Sequence, residues 1–396
     1  MEITVRRPER VVPSYSLTGD LLSYLKCGLQ YRYTNRGSLP PSRPVQLWFG
    51  EFLHAVMEAA FVRWVDGEAP EEFPWDWREH IRPIELEVAQ RLAGRGLRAN
   101  PNVFSFDDSA DPRPIASRRT EASINTWAKD LFPLISRSEV RLTGARPTAG
   151  FESARSPYYE VTGIVDVLGS LSLQRAGHAN AFVSELMRLL PGLEDELESG
   201  QQFEVILDYK GTSRPSTRDD VWRHYEWQVL TYAWLRMQQP DASKVVAGVL
   251  FFLTELEPTR DDLARLKILH EAGQTDAGPV RESDVAALER WSPKSRQAAP
   301  KLSAELRRQR CIRAIAVDEE AVVSSLARFD RVVDDIETSV AAESSGARVI
   351  GAWTERPSGG QYTAPDRATC TACDFKYFCP LVGDRKLGIE MTPMAP

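Results

Sequence analysis

The sequence predicts an α/β core, and three observations predict it. Segments of helical period come first, a block of strand-like segments follows, and a further helix then leads into a continuous apolar strand. Helices, a sheet, a crossover helix and another strand in that order make an α/β arrangement. The bulk numbers fit it, since 396 residues of which 42% are hydrophobic can bury a sizeable core in one large domain or two smaller ones.

The elements follow in order. Residues 14–33 read as a helix opened by Ser14 or Ser16, and "VQLWFGEFLHAVMEAAFVRWV" carries apolar residues at helical spacing. Pro40, Pro41 and Pro44 place a loop between these two helices, and residues 1–66 form one N-terminal helical segment. Residues 67–136 are rich in Trp, Pro and charge, and are expected to be partly irregular with helices near "IELEVAQRLAG" and over 117–136. The stretches "EVRLT", "GFESA", "YYEVTGIVDVLGSLSL" and "FEVILDYKG" alternate or run apolar as strands do, and open a core spanning 137–258. Within it, residues 174–202 form a connection far longer than a hairpin, with an amphipathic helix inside. This insertion is expected to project from the sheet and to leave the strands on either side paired. "HYEWQVLTYAWLRM" returns to helical period and "KVVAGVLFFLTE" is a buried strand. Residues 259–310 read as a charged helical insertion, and 311–396 hold the strand "CIRAIAVD", the helix "EEAVVSSLARFDRVVDDIETSVAAE", a Gly/Ser/Pro loop and a group of cysteines.

Several function classes are disfavoured at once. No stretch approaches the apolar length of a bilayer span, and "MEITVRRPERVVPSYS" lacks the apolar middle of a secretory signal, so the expectation is a cytoplasmic protein without a membrane partner. A net charge of −7 argues against a surface coated in positive charge, yet it leaves room for a local basic groove. "RRPER", "YRYTNRG" and "RRQRCIR" are the candidate basic stretches, although such runs are more often solvated faces. The phosphate-binding pattern G-x4-G-K-[ST] does not occur, so the chain is no helicase by itself.

The cysteines carry chemistry. Cys370, Cys373 and Cys379 form a C-x2-C-x5-C group, which in a reducing compartment points to a metal or iron–sulfur site rather than a disulfide framework. Three thiolates need a fourth ligand. Cys27, in the amphipathic, aromatic-rich "LLSYLKCGLQYRY", is the better candidate, whereas Cys311 enters an apolar strand where a small buried thiol is an ordinary occupant. The residues alone leave structural zinc and an iron–sulfur centre equally open.

The second chemical feature is "FEVILDYKGT". Asp208 and Lys210 stand two apart on a strand and so emerge on one face. A buried ion pair is a weak route to stability, because desolvating both charges can cost more than their attraction returns. Function explains the pair better if another carboxylate converges there. "VTGIVDVL" supplies Asp166 in an apolar run just after a glycine that permits close approach. Two carboxylates on neighbouring strands are hard oxygen ligands suited to Mg2+ or Mn2+, and a lysine beside them can position the attacking water in phosphodiester hydrolysis.

With these residues in place the chain resembles the PD-(D/E)XK nuclease superfamily, with Asp166 as the second-motif acid and "DYK" as the third motif. "GEFLHAVMEA" is similar to the RecB-type first motif, and "WQVLTYAWL" to the downstream Q-x3-Y motif. Cys27 before this core, with Cys370, Cys373 and Cys379 after it, is similar to the iron–sulfur staple of AddB-type nucleases and CRISPR-adaptation exonucleases. The resemblance implies a restriction-endonuclease-like core, a mixed central sheet flanked by helices, carrying helical insertions and a 4Fe-4S staple that joins N- and C-terminal segments. It implies His54, Asp166, Asp208 and the Tyr209 backbone carbonyl as ligands of Mg2+ or Mn2+. Lys210 would face the attacking water, and Gln228 and Tyr232 would position substrate. The implied activity is a metal-dependent DNA nuclease, a single-strand exonuclease acting in DNA repair and recombination, CRISPR adaptation or antiphage defence. Its partners would be single-stranded DNA or duplex ends, with a helicase or other subunits to unwind. The alternative is a non-catalytic, nuclease-like DNA-binding subunit with a structural cluster.

Overall fold

The computed structural model describes residues 12–36, 45–99, 111–148, 155–172, 179–295, 297–354, 370, 373–376 and 379. The loop prolines at 40, 41 and 44, the stretch "RRPER" and the expected strand "GFESA" lie outside them. The chain divides into two compact units. The larger comprises residues 43–142 and 164–322, and the smaller residues 1–42, 143–163 and 323–396.

Among the described residues there are six strands: β1 (Ser14–Ser16), β2 (Ile135–Pro147), β3 (Tyr158–Leu171), β4 (Phe203–Lys210), β5 (Val245–Phe252) and β6 (Ile312–Ala316). They form a mixed sheet in the order β1-β3-β4-β5-β6, with β2 also on β3. In the larger unit β3 runs antiparallel to β4, pairing Val167 with Leu207 and Leu171 with Phe203. β4 and β5 are parallel. A parallel neighbour requires a crossover, and helix α8 (Asp220–Met237) supplies it. α8 lies close on the sheet at Gly248, where an added Cβ would meet Val229 Cγ1 at 1.8 Å, so no other residue fits there without displacement.

The core is built as the apolar pattern requires. All eight residues of β5 are buried, as a strand covered on both faces must be. Helix α3 (Val45–Val65) buries Trp48, Phe52, Leu53, Val56 and Met57, and packs on α4 (Arg82–Gly94) and α5 (Arg113–Leu131).

The insertion at 174–202 departs from expectation in one respect. The flanking strands do pair, but α6 (Ala181–Leu189) and α7 (Leu193–Glu198) do not merely project. Phe182, Val183, Leu186, Leu193 and Leu197 are buried in the same apolar cluster as the sheet. The amphipathic pattern was a docking face. The charged segment 259–310 is likewise more than decoration. Helices α9 (Arg260–Glu271), α10 (Glu282–Arg290) and α11 (Ala304–Cys311) enclose a second apolar cluster of Leu263, Leu266, Leu288, Trp291, Leu302 and Leu306. Asp276, between α9 and α10, binds Arg214 Nη2 at 2.6 Å and Arg313 Nε at 2.7 Å, tying this segment to the loop after β4 and to β6.

In the smaller unit β1 pairs parallel with the start of β3. The expected helix over 14–33 therefore begins as a strand, and it is broken again at Cys27, which is extended (φ −166°) between α1 (Leu22–Lys26) and α2 (Gly28–Tyr31). Helix α12 (Glu319–Ser344) faces this strand pair with acids that take up hydroxyls and guanidinium groups. Glu337 accepts from Tyr15 and from Arg155 Nε at 2.9 Å, and Asp330 accepts from Tyr159 and from Arg146 Nε at 2.8 Å. Tyr24, Tyr31 and Trp353, the last on α13 (Val349–Thr354), form an aromatic group beside Gly28. Among the described residues no helix is long and apolar enough to cross a membrane.

Candidate active site

Helix α3, the paired ends of β3 and β4, and helix α8 bring most of the expected residues together in the larger unit. Asp166 precedes Val167 and Asp208 follows Leu207, so the two acids flank the last pair of the β3–β4 ladder. Strand alternation then puts Lys210 on the same face as Asp208. His54 comes from α3, one turn from the buried Met57.

Each acid is met by a cation of the chain itself. His54 Nδ1 lies 3.2 Å from Asp166 Oδ2, and the same oxygen accepts the Tyr209 backbone N–H at 2.7 Å. Asp208 forms an ion pair with Lys210. Lys210 Nζ also donates to Gln228 Oε1 at 2.9 Å, and Gln228 Nε2 donates to the Tyr232 hydroxyl at 3.1 Å. The Tyr209 ring packs edge-on to His54, with centroids 5.9 Å apart.

The electrostatics push the two carboxylates in opposite directions. Burial raises the Asp208 carboxyl; Lys210 opposes this and the charge of Asp166 adds to it. Burial would raise Asp166 too, but the charge and hydrogen bond of His54 hold it below the usual carboxylate range. Burial pulls the His54 imidazolium down, yet Asp166 and then Asp208 lift it to about 9, so it carries a proton at neutral pH. Burial, followed by Asp208, pushes the Tyr232 phenol up and keeps it protonated. Paired titratable groups driven apart by their surroundings are a mark of functional sites.

The donor set fits a hard divalent cation. Asp166 and Asp208 supply hard carboxylate oxygens from adjacent strands, and the buried Asp208 Oδ2, held only through its ion pair with Lys210, is an oxygen that such an ion could take up. Among the described residues no three His, Cys, Asp or Glu side chains enclose an ion, because here the acids are turned to His54 and Lys210.

Two neighbours escaped the sequence. Glu139 sits on β2 in left-handed backbone (φ +50°), and its carboxyl rises to about 7, through partial burial first and then through Asp166 and Glu58. "SRSEVRLT" reads as a plain polar strand and gave no signal. Tyr225 lies three residues before Gln228 on α8, with its ring 4.4 Å from Lys210 Nζ. Helical spacing from Gln228 was the signal that could have found it.

The cysteines belong to the smaller unit, apart from Cys311. That residue ends α11, is fully buried, and has its thiol pushed well up by burial, as a packed apolar side chain would. Burial also raises Cys373; a backbone hydrogen bond at Phe375 opposes this, and Cys27 and Cys379 add to it, so these three thiols lie near enough to sense one another. The Tyr33 phenol, raised by burial and then by Cys379, Cys27 and Cys373, stands beside them with its ring 5.2 Å from that of Phe375. The Cys373 N–H reaches the Cys370 carbonyl at 3.3 Å. Among the described residues no cysteine is in a disulfide.

Fold and site together define a phosphodiesterase-type arrangement of paired acids and a lysine at the ends of adjacent strands. The chain belongs to the PD-(D/E)XK nuclease superfamily, whose sequence profile matches residues 19–380. No curated protein matches it. Among solved structures, the crystal structure of SSO0001 aligns over 90% of this chain and 95% of its own, at 11% identity and a TM-score of 0.25, too loose a superposition to carry an argument.

Proposed function

We propose that this protein is a divalent-metal-dependent DNA nuclease of the RecB-like branch that degrades single strands from their ends, with a 4Fe-4S cluster held by Cys27, Cys370, Cys373 and Cys379. The observation that carries the activity is the convergence of Asp166, Asp208 and Lys210 at the end of one strand pair, with His54 on the far side of Asp166. Asp166, Asp208, the Tyr209 carbonyl and, on giving up its proton, His54 would hold Mg2+ or Mn2+, which would supply charge stabilisation at the scissile phosphate. Lys210 orients the attacking water and lends its charge to the phosphate as negative charge builds. Gln228 holds the lysine, and Tyr232 holds Gln228. The proximity of Cys27, Cys373 and Cys379 supports the cluster, and the thiols of a C-x2-C-x5-C group are suitable ligands. With no phosphate loop of its own, the protein would work in the cytoplasm on ends or on strands that a helicase or other subunit opens, in repair and recombination, CRISPR adaptation or antiphage defence.

The test is anaerobic purification followed by incubation with end-labelled single- and double-stranded DNA in Mg2+ and in Mn2+. Release of label from single strands, dependent on the metal and abolished in Asp208→Ala, is expected. DNA binding without cleavage under either metal would replace this reading with that of a non-catalytic subunit.

A further inference from the structure

In the larger unit, Lys210 is surrounded on three sides. Its ammonium pairs with Asp208, donates to Gln228 Oε1 at 2.9 Å, and sits 4.4 Å from the centre of the Tyr225 ring. Tyr225 is itself fixed. Its hydroxyl lies 3.2 Å from Thr212 Oγ1, in the loop directly after β4, and its ring packs near Phe252 on β5 with centroids 6.3 Å apart. One turn earlier on α8, Trp222 lies under the Arg313 guanidinium at 4.0 Å. A single face of α8 therefore presents Trp222, Tyr225, Gln228 and Tyr232 at helical spacing, and two cations rest on its first two rings.

The arrangement poses a problem for a metal site. Asp208 is both the lysine's partner and a proposed ligand, so the ammonium and a divalent cation compete for one carboxylate. Once Asp208 turns to a metal, Lys210 faces a second positive charge inside a buried pocket and needs other acceptors there. Gln228 is one. The negative face of the Tyr225 ring is the other: it lies 4.4 Å from the ammonium while Asp208 still shares it, and the ammonium can settle more fully on the ring once Asp208 turns away.

We propose that Tyr225 is a positioning residue that holds the Lys210 ammonium when it releases Asp208, and so favours occupation of the site by a divalent cation. This rests on the nuclease reading of the site. Without the ring, the lysine falls back on Asp208 and excludes the metal. A cation–π contact in a partly desolvated setting corresponds to a shift of about threefold to thirtyfold in an equilibrium.

The experiment measures Mn2+ affinity of the full-length protein by electron paramagnetic resonance, without nucleic acid, for the parent, Tyr225→Leu and Tyr225→Phe, each also in a Lys210→Met background. Tyr225→Leu should weaken Mn2+ binding at least about threefold, and Tyr225→Phe should stay below that, since the ring is kept. In the Lys210→Met background the leucine change should have no such effect, because the competitor is gone. A smaller shift in Tyr225→Leu overturns the proposal. So does an equal shift in both backgrounds, which would mark a merely structural tyrosine, or a loss in Tyr225→Phe, which would assign the effect to the Thr212 contact. Tyr225→Met replaces the leucine variant if that does not fold. Absence of saturable Mn2+ binding by the parent would instead overturn the metal site itself.

Discussion

In the larger unit the acids of the site come from adjacent strands, and each already carries a counter-charge, His54 on Asp166 and Lys210 on Asp208. In the smaller unit the cysteines come from nearly opposite ends of the sequence; Cys27 and Cys379 lie near enough to bear on the Cys373 thiol, and among the described residues no three ligands enclose an ion. The first site is pre-organised by the sheet register, and its charges are balanced by the chain. The second, on the proposed reading, would rely on a bound cluster to draw its ligands together, so that binding energy there would be folding energy. One site should therefore lose function without losing structure, and the other should lose both.

The sharpest break of that contrast is at the acids. Asp166→Ala and Asp208→Ala should abolish metal-dependent cleavage while leaving the fold intact, checked by nuclease assay beside circular dichroism. Lys210→Met should lower the cleavage rate by at least about a hundredfold yet bind Mn2+ as well as the parent or better, because its contribution is to the chemical step. A Lys210→Met protein cleaving at the parental rate would remove the lysine from the mechanism.

On the other side of the comparison, Cys27→Ala should lose its iron and become protease-sensitive in the smaller unit, whereas Cys311→Ala should keep parental iron content. Iron and sulfide analysis of anaerobically purified protein decides it. Equal iron in the parent and Cys27→Ala would exclude Cys27 as a ligand.

The insertion at 174–202 gives an effect on stability alone. Phe182 is fully buried and packs edge-on to Trp127 with centroids 6.0 Å apart. Phe182→Ala should cost about 3–5 kcal/mol of unfolding free energy, read from urea denaturation. A cost near zero would restore the view of this segment as solvent-facing elaboration.

How far the sequence could be read follows from the range of each signal. Asp208 and Lys210 on one face of β4 were legible because period 2 fixes which side chains align, whereas Gln228 and Tyr232 on α8 stood out only through the resemblance of "WQVLTYAWL" to a family motif. One amphipathic helix within 174–202 was legible, but amphipathicity does not say whether the apolar face meets this core or a partner. Glu139 was hidden for another reason. Its approach to Asp166 depends on a long-range strand pairing and on a left-handed backbone that a non-glycine residue rarely adopts. The network of Asp276 with Arg214 and Arg313 was likewise invisible, since it joins three segments that only the fold brings together.

The smallest expected effect tests the charge balance directly. His54 titrates near 9 in the folded chain against an ordinary 6.5, so its pairing with Asp166 stabilises the metal-free protein fully below about 6.5 and is lost as pH rises through about 9. Glu139, raised from 4.5 to about 7, acts in the same direction at lower pH, because the folded state there binds the extra proton. Metal-free protein should therefore lose stability from pH 6 to pH 9, and the His54 share should be on the order of 1–2 kcal/mol after allowance for solvent screening of a partly exposed ring. His54→Gln should be less stable than the parent at pH 6 and should converge on it at pH 9, whereas Glu139→Gln should flatten only the portion below about 7. Urea unfolding at pH 6, 7.5 and 9 in magnesium-free buffer measures all three proteins. Parallel pH profiles for the parent and His54→Gln would mean that the His54–Asp166 pair does not form in solution, and that Asp166 is open to a cation without displacing a charge of the chain.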